Sequence, residues 1–189
     1  SALIKLGENN QILNAEKLLL DIANRRLAAE KQILDAKLKV MQGQSDERIA
    51  NAETNPFADM ERVQAEEKLK MAQQELALRK PMIDAEYQNR LSAIDMEYGL
   101  LEAKRIQTAL EMQKLAIELK ADNKTGLADD ANAIASKLIA TNYDEAKTAA
   151  KDAALATKEA SEYGLEKAVR DAERAVEALK PINQVLMTA

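Results

Sequence analysis

A large apolar residue recurs at every seventh position near the start of the chain, and this spacing constrains the fold more than any other feature. The six positions are Leu6, Leu13, Leu20, Leu27, Leu34 and Met41. Because an α-helix completes a turn in about 3.6 residues, side chains seven positions apart lie on one face of it. The repeat, called here the leucine ladder, therefore predicts a long amphipathic helix that packs against other helices.

The apolar face of this first helix is wider than the ladder. Ile12, Leu19, Ile33 and Val40 each precede a ladder position, and a further row adds Ala15, Ile22, Ala29 and Ala36. A two-stranded coiled coil needs a narrower stripe, so the width indicates contact with more than one neighbouring helix. A core-facing helix of a compact bundle would show the same pattern.

Composition extends the helical prediction to the whole chain. Aromatic residues make up 3% of it, and there are five glycines and three prolines among 189 residues. Residues that favour strands are scarce, whereas Ala, Leu, Glu, Lys and Gln favour helices. We therefore expect an all-α fold of long helices with heptad-like seams, in an extended coiled coil or an elongated helical assembly.

Breaks in the periodicity divide the chain into six predicted segments. A first amphipathic helix covers 1–41, a connector with Gly43 covers 42–57, and a long central helix covers 58–120. A second connector covers 121–128, with Gly126 as the expected helix C-cap, and an Ala-rich helix covers 129–180. A tail of 181–189 follows, because Pro181 should end that helix.

Two prolines mark predicted features of the central helix. Asn55 is suited to cap its start, with Pro56 at the first helical position and Asp59 in the first turn. Pro81 lacks a backbone donor and precedes an irregular heptad step, so a kink is expected near residue 81. Further along, Arg105 and Thr108 occupy positions that should be apolar. A looser stretch or a residue that sets the register would fit, but a solvated face is the expectation for both.

Apolar side chains on the first and central helices are the candidate self-association residues. The central helix repeats them in steps of four and three residues, as a heptad seam does. The set consists of Leu13, Leu20, Leu27, Leu34, Leu91, Ile94, Tyr98, Leu101, Leu115 and Leu119.

The absence of certain residue types excludes several function classes. The chain has neither Cys nor His, so nucleophilic Cys chemistry, a His general base, the usual zinc sites and disulfides are excluded. Neither a P-loop nor a dinucleotide-binding glycine motif is present, and we expect no enzyme activity, no catalytic residue, no metal and no cofactor. The net charge of −5, with basic residues interspersed among acids, also argues against sequence-specific nucleic-acid binding. Apolar runs fall short of the roughly 18 residues that a membrane span requires.

Two functional hypotheses fit this helical pattern. In the first, the chain is an extended structural element whose helices associate with copies of themselves or with a surrounding tube. In the second, it folds into a compact amphipathic bundle that binds a partner or lipid. Connectors longer than about two to eight residues, and helices of unequal length, favour the first hypothesis. The missing initiator Met fits either a processed mature chain or a portion of a longer protein, and we expect the second.

Three stretches resemble the helical repeats of bacteriophage tail tape-measure proteins. They are residues 18–36, residues 84–117 and the Ala-, Lys- and Glu-rich stretch after Ala146. The resemblance is in the general character of the sequence, without a diagnostic motif, and it covers about two-thirds of the chain. The resemblance implies a long helical protein inside the phage tail, commonly in a few parallel copies, whose length sets the tail length. It implies release on DNA delivery and a location in the virion. The implied partners are the chain itself, as a homo-oligomer with three copies as one option, and proteins of the tail tube or tip.

Overall fold

The computed structural model describes the backbone of residues 2–53 and 60–188 and the side chains of residues 11–50 and 60–179. These residues form four α-helices and no strand: α1 (Ala2–Glu53), α2 (Met60–Ala121), α3 (Thr125–Ala140) and α4 (Asp144–Thr188). The all-α prediction is confirmed, and coiled-coil geometry stays a prediction. The side chain of Leu6 and the proposed cap of Asn55, Pro56 and Asp59 lie outside the described residues.

Helix α1 is longer than predicted. The connector expected at 42–57 is wrong for residues 42–53, which continue the helix through Gly43. Tertiary packing explains the difference, because Ser45 is 5% exposed and its hydroxyl donates to Glu67 Oε2 of α2 at 3.3 Å. Arg48 pairs with the same carboxylate at 3.3 Å. These contacts offset the weak intrinsic helix propensity of glycine, which costs about 1 kcal/mol relative to Ala.

Helix α2, described from Met60, lies within the predicted central helix of 58–120 and ends at Ala121, one residue beyond the predicted end. It is continuous across Pro81, which lies inside the helix. A proline there removes one backbone hydrogen bond without necessarily ending the helix. The kink expected near residue 81 stays a prediction.

The turn between α2 and α3 is shorter than the predicted connector of 121–128 and uses a different residue. Asn123 adopts a left-handed backbone with φ of 59°, whereas Gly126 lies inside α3. Lys124 N donates to Leu119 O at 2.8 Å and Asn123 N donates to Lys120 O at 3.1 Å, the two bonds of a Schellman motif. Asn is one of the few residues besides glycine that adopt this conformation. The prediction of Gly126 as the C-cap is wrong, because Asn123 takes that role and Gly126 lies inside α3.

The Ala-rich segment predicted as one helix over 129–180 consists of two helices separated at residues 141–143. Thr141 Oγ1 donates to Lys137 O at 2.8 Å, and Asp144 N donates to Asn142 Oδ1 at 3.3 Å. Short polar side chains thus satisfy backbone groups at both ends of the break. The helical backbone of α4 also continues through Pro181 to Thr188, where a tail of 181–189 was predicted.

Contacts divide the chain into two units, and the first comprises residues 1–23 and 89–154. In this unit α3 runs antiparallel to α2, because Ala116 clusters with Ala128 while Arg105 bonds to Leu138. The interface includes three buried alanines, Ala116, Ala128 and Ala131, whose small side chains let the two backbones approach closely, and Leu119 packs against them.

The second unit comprises residues 24–88 and 155–189. Here α1 and α2 are antiparallel, since Ser45 bonds to Glu67, Asp35 pairs with Arg79, and Lys31 pairs with Glu86. Leu34 is buried at 8% exposure. Lys158 of α4 pairs with Asp84 of α2 at 3.2 Å and thereby adds a third helix to this unit.

Candidate association surface

From Leu13 onward, the leucine ladder of α1 faces the rest of its own chain. Leu34 is buried, and Leu13, Leu20 and Leu27 are half-buried. In the first unit, Leu13 lies beside Gly99 of α2. A Cβ atom placed on Gly99 would be 3.4 Å from Leu13 Cδ2. These four predicted self-association residues therefore already contribute to packing within the chain.

The predicted residues of α2 divide between packed and exposed positions. Ile94 is 3% exposed, and Leu91, Tyr98 and Leu119 are half-buried. The Tyr98 ring lies 6.2 Å from the ring of Tyr143, centroid to centroid, at an interplanar angle of 53°. Leu101 and Leu115 remain 38% and 41% exposed. A role of these side chains in self-association stays a prediction.

An exposed row of residues on α1 alternates between positions one residue before and two residues after the ladder. In the second unit it consists of Arg26, Ala29, Ile33, Ala36, Val40 and Gly43, and we call this set the exposed seam. Its steps are three, four, three, four and three residues, the spacing of a heptad seam. Ile33 is 56% and Val40 61% exposed, and nothing lies within 4 Å of a Cβ placed on Gly43.

Exposed apolar residues in the same register also occur in the first unit. Ile12, Leu19 and Ile22 of α1 are 56%, 66% and 54% exposed. The width of the apolar face noted in the sequence thus corresponds to two distinct rows, one packed within the chain and one exposed.

A groove of about 420 Å³ between α1, α2 and α4 in the second unit has an apolar floor that includes Leu34, Ile83 and Leu165. The charged side chains at its rim pair both across helices and within α2. Arg79 reaches Asp35 at 3.5 Å and Glu75 at 3.0 Å, and Lys31 pairs with Glu86. Each of these charged side chains therefore already has a partner.

Lysines of α4 bind carboxylates of α2 in both units. Hydrogen bonding from Lys151, together with Lys147, holds the pKa of Asp95 below the ordinary 3.8 of an aspartate. Their ammonium groups lie 2.8 and 3.2 Å from its carboxylate. In the second unit, hydrogen bonding to Asp84 raises the pKa of Lys158, whose ammonium also lies 5.0 Å from the Tyr87 ring centroid. No signal in the sequence pointed to this lysine.

Arg105 is half-buried rather than solvated. Its Nη1 donates to Leu138 O at 2.6 Å and Ile139 O at 2.9 Å, so the guanidinium caps the carboxyl end of α3. Thr108 Oγ1 donates to Lys104 O at 2.9 Å within its own helix. The expectation of a solvated face is wrong for Arg105. Its position in an otherwise apolar row was the sequence signal for a role in packing.

The described residues contain no cluster of three or more acidic, His or Cys side chains that could hold a metal ion. Nor does any helix in the described part of the chain have an apolar stretch long enough to cross a membrane. In comparisons with known proteins, no family model, no curated protein and no solved structure matches this chain.

Proposed function

We propose that this chain is a structural helical protein that works by associating with copies of itself. The exposed seam of α1 is the observation that supports the proposal, because a regular heptad spacing suits a helical partner. Exposure of large apolar residues elsewhere points the same way. Among the described side chains, sixteen large apolar residues are exposed, whereas six of the nine buried apolar residues are alanines. Contiguous apolar surface on a folded protein commonly marks an interaction site.

The finer role that we propose is that of a tape-measure segment within the tail of a phage particle. The resemblance of the helical stretches supports it, as does a sequence without His or Cys, which suits a structural rather than a catalytic role. In this role the chain would contact tail tube or tail tip proteins and would leave the tail when DNA is delivered.

Tail length tests the tape-measure role directly. Deleting two heptads from a helix of the parent protein removes about 21 Å of helix at ~1.5 Å per residue. The tail of the assembled particle should shorten in proportion to the number of heptads deleted. A control that replaces the same heptads by others of equal length should keep the tail length unchanged. Tails of unaltered length after deletion would contradict the role.

A compact bundle that binds a partner is the second candidate, and the antiparallel packing inside each unit favours it. The turns at 122–124 and 141–143 are short, so the connector-length argument for an extended arrangement no longer holds at these positions. Lipid is the less suitable partner, because interfacial helices use Trp or Phe anchors and this chain has no Trp and one Phe. A co-sedimentation assay with anionic vesicles tests lipid binding. If the bundle binds a protein partner rather than lipid, the chain should stay in the supernatant.

A further inference from the structure

We propose that two copies of the chain pair through the exposed seam of α1, with the two α1 helices antiparallel and the two-fold axis between Leu34 and Asp35. The inference rests on the proposed self-association and specifies its surface, orientation and register. It does not rest on the tape-measure role, whose resemblance implies parallel copies.

Residue size along the exposed seam favours the antiparallel orientation. Alternate positions are large (Arg26, Ile33, Val40) and small (Ala29, Ala36, Gly43). A parallel pair would place like positions together, so large layers would alternate with layers of two small residues that leave gaps. An antiparallel pair places each large residue against a small one of the second copy, which fills the interface evenly.

Arg26 adds an electrostatic argument for the same orientation. Its side chain is 82% exposed and pairs with Glu30 at 3.3 Å. A parallel pair would bring the two Arg26 guanidinium groups into one layer, where like charges repel. In the proposed register Arg26 lies opposite Gly43 of the second copy. There its aliphatic stem can pack while the guanidinium stays in water.

Charges beside the exposed seam select the register. With the axis between residues 34 and 35, the flanking Glu30 lies opposite Lys37 of the second copy, and Arg25 lies opposite Asp46. All four of these residues are exposed on α1. Symmetry repeats both contacts, so four opposite-charge pairs border the interface. A parallel pair would instead leave Lys37 opposite Gln32, with Arg25 opposite Glu30 as its attractive contact.

Engineered cysteines test the orientation, and the native chain has none to interfere. Residues 29 and 40 of different copies would be neighbours, whereas two copies of residue 29 would lie about 16 Å apart along the axis. That separation is too long for a disulfide, which needs Cα atoms within about 7 Å. A mixture of Ala29→Cys and Val40→Cys chains should therefore form a mixed disulfide dimer on mild oxidation, and Ala29→Cys alone should not. Cross-linking of Ala29→Cys alone would overturn the antiparallel arrangement.

Charge reversal tests the register in the full-length chain. Lys37→Glu should raise the dimer dissociation constant on the order of tenfold, because two attractive pairs become repulsive. Adding Glu30→Lys in the same chain should restore it. Ile33→Glu should weaken the dimer at least about tenfold, while the matched change Ile117→Glu, at a residue that is 71% exposed on α2, should leave it unchanged. Circular dichroism would verify that each variant keeps its helix content.

The outcomes separate this inference from the proposed function. A native chain that associates, but whose association survives both Ile33→Glu and Lys37→Glu, would refute the seam and leave the self-association standing. A native chain that stays monomeric at every concentration would refute both.

Discussion

Arg105 of α2 donates a 2.6 Å hydrogen bond to the backbone carbonyl of Leu138, and thereby ties the end of α3 to the helix on which it packs. The carbonyls of the last helical turn have no partner inside the helix, so a cationic donor there is stabilising. The same guanidinium bonds to Ile139 O. One side chain of α2 thus satisfies two carbonyls at the end of α3, beside an interface that contains three buried alanines.

Replacing Arg105 by Met should therefore destabilise the fold by about 1–2 kcal/mol, because hydrogen bonds from a charged donor are lost. Urea denaturation of the two proteins measures this difference. The matched control Arg90→Met changes an exposed arginine of the same helix and should alter the free energy of unfolding by less than about 0.5 kcal/mol. Equal effects of the two changes would show that the cap contributes little.

The periodicity of the sequence predicted the helices, but their ends depend on contacts that periodicity does not encode. Gly43 was interpreted as a break, yet the helix continues because Ser45 finds a partner in Glu67, far away in the sequence. The break at residues 141–143 did have a local signal. Thr141 and Asn142 are residues that cap helix ends, and the uniform alanine pattern around them concealed it.

The candidate surface was only partly predictable for a related reason. The sequence showed a wide apolar face on α1. Spacing alone, however, does not show which of two adjacent rows with the same period is buried. The structure places Leu34 inside and Ile33 outside, a difference of one residue on the helix. Only the position of the neighbouring helices decides which row is packed within the chain.

Glu67 provides a second stability test, at the α1–α2 contact. Its carboxylate is 15% exposed and accepts from the buried Ser45 and from Arg48. Glu67→Ala should cost about 1–3 kcal/mol, because a buried hydroxyl loses its acceptor. Arg48→Met should cost less than about 1 kcal/mol, since its side chain is 58% exposed. Denaturant titration would compare the two, and the account fails here if Arg48→Met is the more harmful change.

Ile94 tests the assignment of the α2 face in the first unit. It is 3% exposed, so Ile94→Ala should destabilise the chain by about 2–4 kcal/mol through lost burial and the cavity that remains. Ile117, 71% exposed on the same helix, is the control, and its change to Ala should cost less than about 0.5 kcal/mol. Thermal unfolding at fixed concentration would separate them, and similar midpoints would show that Ile94 is not a core residue.

The ion pairs of Asp95 should make folding stability depend on pH in a defined way. Lys151 and Lys147 lower the pKa of Asp95 in the folded state. Its contribution to folding stability is therefore complete above the unfolded pKa of 3.8, and it is lost as the pH falls through the folded pKa. The carboxylate is 52% exposed, so the contribution is under about 1 kcal/mol. An NMR titration of the Asp95 carboxyl should give a pKa below 3.8, and the double change Lys147→Ala and Lys151→Ala should raise it. A pKa that is the same in both proteins would contradict the pairing.

Self-association is the central claim, and the mass of the isolated chain in solution tests it most directly. Sedimentation equilibrium over a wide range of concentrations should show a mass that rises from that of a 20.9 kDa chain to at least twice that value. A mass that stays at 20.9 kDa up to the highest concentration would contradict the account.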